Sequence, residues 1–173
     1  MKEGANLYLV GPMGVGKTTI GRLVAQRLGR PFVDLDEEIE ARAGADIPWI
    51  FDVEGEEGFR RREAALLAEV AQKRGWVVAT GGGVVLRADN RRLMRQSGVV
   101  VFLDASVEQL YRRTRRDRRR PLLQVPDRRA ALRALKEVRD PLYREAAHLV
   151  LPVDGLSSRR VTELLLEALA GLD

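Results

Sequence analysis

The stretch that decides the fold is Leu7-Tyr8-Leu9-Val10-Gly11-Pro12-Met13-Gly14-Val15-Gly16-Lys17-Thr18-Thr19. A short apolar run enters a loop of the form G-x-x-x-x-G-K-[ST], and a helical pattern leaves it, which is the strand–loop–helix context of a phosphate-binding loop. The glycines let consecutive backbone N–H groups turn inward around a phosphate, and the following helix adds its positive N-terminus. Gly14, Val15, Gly16, Lys17, Thr18 and Thr19 are therefore candidate nucleotide contacts, with Lys17 reaching the β- and γ-phosphates and the Thr18 hydroxyl ligating Mg²⁺. The loop establishes nucleoside triphosphate binding and no more, because kinases, GTPases and motor ATPases share it.

Outward from the loop, short apolar runs alternate with longer amphipathic stretches. Strands are expected at 7–10, 32–34, 76–79, 99–103 and 149–153, and their apolar residues run consecutively, as in parallel strands buried on both faces. Helices are expected at 17–28, 56–74, 88–96, 106–115, 127–147 and 157–170, with Ser106 and Gln109 forming a capping box. This alternation predicts one α/β domain over residues 1–173, a parallel sheet with helices on both faces. Ligands bind at the carboxyl ends of the strands in such sheets. Chemistry is thus expected just after Val10, Val33, Ala79, Leu103 or Val153, and three of these places carry unusual sequence.

Composition narrows the function. The chain has 173 residues, 30 of them Lys or Arg and 25 Asp or Glu, for a formal net charge of +5. Arg112 to Arg120 holds seven arginines and one acid, Asp117, so this segment carries +6 and the rest of the chain sums to −1. A nearly neutral body with one cationic segment points to a local anion site, not a nucleic-acid coat. The absence of cysteine excludes disulfides, thiolate catalysis and cysteine-based metal sites. The single histidine, His148, precedes an apolar run, where a structural or surface role is the simpler reading. No run approaches the roughly 20 apolar residues needed to span a bilayer, and no signal-peptide pattern opens the sequence, so a cytoplasmic protein with no membrane partner is expected. A switch GTPase is excluded because none of Lys2, Lys17, Lys73 and Lys136 sits in the Asn/Thr-Lys-x-Asp run that reads guanine; Asp52-Val53-Glu54-Gly55 matches only the loose D-x-x-G pattern.

The second strand ends in Asp34-Leu35-Asp36. Extended geometry places residues i and i+2 on one side, so both carboxylates can face the crevice. One could hold Mg²⁺ and the other accept a proton from a substrate hydroxyl, although Asp36 could equally cap a helix begun by Glu37 and Glu38. Thr80-Gly81-Gly82-Gly83 follows the third strand, where side chains would obstruct close approach of a ligand. Arg60, Arg61 and Arg62 open the next long helix, and their 100° offsets let at most one or two face the crevice.

These motifs, with Gly58-Phe59-Arg60-Arg61, the segment ending Arg120-Pro121-Leu122-Leu123, and Arg139-Asp140-Pro141-Leu142-Tyr143, occur in the order and approximate spacing of shikimate kinases, which the chain resembles from about residue 7 to residue 143. The resemblance implies ATP-dependent phosphorylation of the 3-hydroxyl of shikimate, on the route to chorismate and aromatic amino acids. It also implies the nucleoside monophosphate kinase fold, five parallel strands with a mobile lid at about 112–126 and a substrate-binding region at about 35–62. By resemblance, Asp34 is the metal-side aspartate and Asp36 contacts shikimate and is catalytic, with Lys17 and Arg120. Arg60 and Arg139 hold the substrate carboxylate, and Gly82 makes a backbone contact. Arg120 folds over ATP from the lid, and Arg113 is a weaker match to a second lid arginine. No sharp motif marks the adenine side near the C-terminus; Arg159 is the candidate there. The implied cofactors are ATP and Mg²⁺, the implied partner is a small molecule and not nucleic acid, and a monomer is expected. The seven lid arginines exceed the one or two the family needs, and either solubility or attraction of ATP would account for the excess. The rival readings are a related kinase, such as a gluconate kinase, and a nucleic-acid-binding ATPase. The latter lacks aromatic residues interleaved with its arginines, Tyr111 alone lying beside them.

Overall fold

In the computed structural model, which describes residues 1–172, five strands form one parallel sheet. They are β1 (Asn6–Val10), β2 (Phe32–Asp34), β3 (Val77–Ala79), β4 (Gly98–Asp104) and β5 (Leu149–Pro152), in the order β2-β3-β1-β4-β5. All of β1 is buried, and alternation sends its side chains to opposite layers. Leu7 and Leu9 join Val101 and Leu103 in a core with Ile20, Val24, Leu110, Val161 and Leu165. Tyr8 and Val10 join Val78, Val100 and Phe102 in a second core with Ile39, Ile50, Leu67, Met94 and Tyr143. Both faces of the central strands are therefore covered, which is why their sequences read as unbroken apolar runs. β5 departs from that expectation, because at the sheet edge its residues alternate between half-buried and exposed and Val150 is 41% exposed.

The helices are α1 (Lys17–Leu28), α2 (Leu35–Ala43), α3 (Ile47–Ala71), α4 (Ala88–Ser97), α5 (Val107–Thr114), α6 (Arg128–Ala146) and α7 (Ser158–Ala170). Gly16 and Gly29, both at positive φ, bracket α1. Two corrections concern the region after β2. Asp36 is not a cap: Asp34 caps α2 by accepting from Glu37 N at 3.0 Å, and Asp36 lies in the first helical turn, so the pair does not follow the i, i+2 geometry of a strand. The helix expected from residue 56 begins at Ile47, with Asp46 as its cap and Gly55 (φ 74°, ψ 173°) breaking its axis. The loose D-x-x-G match falls on that break.

The capping box at Ser106 is half formed. Ser106 Oγ accepts from Gln109 N at 3.2 Å, but the Gln109 side chain accepts from Gly155 N, and Ser106 N donates to Asp154 instead. His148 has a ladder role: Val100 N donates to its Nδ1 at 2.9 Å, and its own N–H returns to Val100 O at 2.7 Å. Among the described residues no helix is long and apolar enough to cross a membrane.

Candidate active site

The carboxyl ends of β1, β2 and β3 open into one cleft of about 380 Å³. Gly14, Gly16, Lys17, Thr18 and Thr19 form one side and Asp34 and Asp36 the next, while Arg60, Glu63, Gly81–Gly83 and Arg139 close the far end and Arg119 and Arg120 overhang it. Val15 is absent from the lining because its side chain is core, 1% exposed.

On the phosphate side, buried Lys17 donates to the carbonyls of Gly11 and, at 3.1 Å, Pro12. Burial lowers its pKa, and the Arg120 charge adds to that. The Thr18 hydroxyl donates to Asp34 Oδ2 while Asp34 Oδ1 holds the α2 cap, so one carboxylate ties the phosphate loop to the second strand. Two adjacent hard oxygen donors on the cleft wall fit Mg²⁺, which is commonly held by one or two protein ligands together with substrate phosphates.

On the acceptor side, each glycine of the triple faces a different charge. A Cβ at Gly81 would lie 2.8 Å from Asp36 Oδ1 and 2.7 Å from Glu63 Oε2; one at Gly82 would lie 3.3 Å from Arg139 Nη1; one at Gly83 would lie 2.4 Å from the Arg60 guanidinium. The run of glycines is what allows two carboxylates and two arginines to crowd one loop. Thr80 pins that loop to β1 through its hydroxyl, 2.7 Å from Leu9 O, and Tyr143 pins it to α6 through a 2.5 Å bond to Gly82 O. Asp36 Oδ1 and Glu63 Oε2 are buried without a hydrogen-bond partner. Burial first, and then the Glu63 charge, raise the Asp36 pKa; burial likewise raises that of Glu63 against the pull of Arg60.

Of the three consecutive arginines, Arg60 enters the cleft. It is 11% exposed and donates to Glu63 at 3.1 Å and Glu56 at 3.3 Å. Arg61 pairs outside with Glu57, and Arg62 with Glu54 at 2.8 Å. Arg139 is buried in α6 beside Gly82. The cleft also gathers Ile47, Phe51, Phe59 and Leu122 as apolar wall.

Glu63, Arg119 and Tyr143 are site residues that reasoning from sequence passed over. Glu63 is one acid in a helix rich in acids and arginines, and its only signal is the i, i+3 spacing from Arg60. Besides Val15, two expected nucleotide contacts lie outside the cleft lining. Arg113 reaches the phosphate loop from behind, donating to Val15 O at 3.3 Å. Arg159 is not brought to the site: it stands 89% exposed on the first turn of α7, paired with Glu163. In the arginine-rich segment Arg112, Arg115, Arg116 and Arg118 are exposed.

A cleft with a phosphate loop at one end and two arginines with an unpartnered carboxylate at the other is built for phosphoryl transfer to a small anionic acceptor. The family model described as shikimate kinase matches residues 13–170. The chain belongs to the shikimate kinase family. A shikimate kinase of Pseudomonas paraeruginosa is 56% identical over 167 residues, covering 96% of this chain and 97% of that one. A solved shikimate kinase from Acinetobacter baumannii in complex with shikimate superposes with a TM-score of 0.95 at 48% identity, covering 96% and 93% of the two chains. A gluconokinase from Sinorhizobium meliloti shares the fold alone, with a TM-score of 0.63 at 19% identity over 99% of this chain and 95% of its own. The fold expected from sequence, a five-stranded parallel sheet between helical layers, is thus shared within the family and beyond it.

Proposed function

We propose that the chain transfers the γ-phosphoryl group of ATP to the 3-hydroxyl of shikimate. The observation that carries this reading is the convergence of Asp36, Arg60 and Arg139 on the triple-glycine loop, opposite Lys17 and Thr18. Shikimate is a small ring with one carboxylate and three hydroxyls, and the cleft offers a matching set. Arg60 and Arg139 present two guanidinium groups for the carboxylate, and forked donors suit its planar anionic end. Phe51, Phe59 and Leu122 pack against the ring. Asp36, beside Gly81 on the same loop, accepts from the reacting hydroxyl.

In the transfer, the acceptor oxygen forms a bond to the γ-phosphorus as the bond to the β,γ-bridging oxygen breaks, ADP leaves, and the hydroxyl proton passes to Asp36. The transition state is loose and its charge spreads over the equatorial oxygens, so stabilisation falls to Lys17 from the phosphate loop and Arg120 from the lid. A carboxylate kept basic by burial suits the proton-accepting role better than an ordinary one, since general-base efficiency improves as the pKa approaches the working pH. Thr18 and Asp34 would hold Mg²⁺, which when bound neutralises charge on the β- and γ-phosphates. Folding the lid over the cleft would exclude water and suppress hydrolysis of ATP.

The test is product analysis by ³¹P and ¹H NMR after incubation with MgATP and shikimate. A single phosphomonoester coupled to the proton on C3 is expected. Esterification at another hydroxyl, or no ester, would overturn the assignment.

A further inference from the structure

We infer that Asp117, the lone acid of the arginine-rich segment, is a positioning residue that ties Arg120 to the phosphate loop and aims its guanidinium into the cleft. The inference rests on the reading that Arg120 stabilises the transferring phosphoryl group.

Every polar group of Asp117 is engaged. Its N–H donates to Thr114 O at 2.9 Å, and its carbonyl accepts from Gln124 Nε2 at 3.1 Å and Arg128 Nη2 at 2.8 Å. Its carboxylate divides between the two arginines that overhang the cleft: Oδ1 accepts from Arg119 N at 2.8 Å, and Oδ2 from Arg120 Nε at 3.0 Å. Thr114, to which the residue is anchored, sits against the phosphate loop, where a Cβ at Gly14 would come within 2.5 Å of its methyl group. A continuous chain of contacts therefore runs from Gly14 through Thr114 and Asp117 to Arg120.

The geometry of the last contact matters. Among the described residues, the only hydrogen bond that the Arg120 guanidinium donates is the one from Nε to Asp117. Its outer edge, the pair of Nη groups, stays available for phosphate oxygens. An arginine held at Nε keeps its direction without losing its charge, and misplacement of such a group by about 1 Å can cost on the order of 10²-fold in rate. The surrounding cations also keep Asp117 ionised: burial alone would raise its pKa, but the Arg119 N–H and the Arg120 charge hold it below the usual carboxylate value.

The test is steady-state kinetics on wild type, Asp117→Ala, Arg120→Ala and the double variant, with MgATP and shikimate. Asp117→Ala is expected to lower kcat by roughly 10- to 10²-fold while leaving KM for shikimate within about twofold. In the Arg120→Ala background the same substitution should have no further effect on kcat, because Asp117 acts through Arg120. Asp117→Asn, which keeps one acceptor oxygen and the side-chain shape, should fall between wild type and Asp117→Ala, with an unchanged urea midpoint. An Asp117→Ala enzyme as fast as wild type, or losses that multiply in the double variant, would overturn the inference. An Arg120→Ala enzyme with full activity would remove the reading beneath it as well.

Discussion

Asp36 and Glu63 aim carboxylate oxygens at the same point over Gly81, 2.8 Å and 2.7 Å from where a Cβ would stand there, and neither of those oxygens has a hydrogen-bond partner. Two like charges in a buried volume leave at least one carboxylate short of stabilisation, and that carboxylate is the better proton acceptor. Asp36→Asn is accordingly expected to lower kcat by roughly 10²- to 10⁴-fold, the range for loss of a general base. Coupled assay of ADP release measures it, and a kcat within threefold of wild type would remove Asp36 from the chemistry.

The raised Asp36 pKa gives the pH profile a sign. The base works only when deprotonated, so kcat/KM for shikimate should climb with pH through a limb above the ordinary carboxylate range and then level off. The same group affects stability. Its folded pKa lies above its unfolded one, so the folded state binds more protons between the two values, and stability falls as pH rises through that window. Asp36→Asn removes this unfavourable burial of charge, so its melting temperature at pH 8 should exceed that of wild type. Thermal unfolding monitored by circular dichroism decides the matter; an equal or lower value contradicts the origin assigned to the shift.

Arg60 and Gly83 are in such close approach that an added methyl must displace the guanidinium, the movable partner. Gly83→Ala should therefore raise KM for shikimate by roughly tenfold or more, the equivalent of about 1.4 kcal/mol. KM for ATP should stay within about twofold. A uniform loss in both constants would indicate that the loop itself had shifted.

His148 supplies an acceptor to the buried N–H of Val100. Replacing it with Leu leaves that donor unpaired, which costs about 1–3 kcal/mol. Burial also lowers the pKa of the ring, so the folded state takes up its proton less readily than the unfolded chain. Stability contributed by neutral His148 is then lost as pH falls below its unfolded value. Urea midpoints of wild type and His148→Leu should converge between pH 7.5 and pH 5. A constant gap would show that the hydrogen bond is not titrated.

What the sequence disclosed depended on how local the signal was. The phosphate loop and α1 were legible to the residue because a fixed glycine spacing and the C-terminal Gly29 dictate the backbone there. The second strand and its two aspartates were legible as a pair but not in conformation. Asp34 is both the end of a strand and the cap of a helix, and Leu35–Ala43 has only a weak apolar stripe. The first half of α3 was hidden by Gly55, which resembles a loop in sequence and is a kink in the fold. Among the three consecutive arginines, period alone left the choice open; Arg60 enters the cleft because Glu56 and Glu63 flank it on the same helical face. Glu63 itself carried no signal beyond its i, i+3 spacing from Arg60, because its role comes from Gly81 and Asp36, which only the packing of α3 against the sheet brings near.

The most direct measurement is initial-rate ADP release with MgATP against shikimate, gluconate and a single-stranded oligonucleotide, compared with ATP alone. Release that depends on shikimate, saturates with it and is lost in Asp36→Asn is the predicted result. Release stimulated by gluconate or by the oligonucleotide, but not by shikimate, would contradict it.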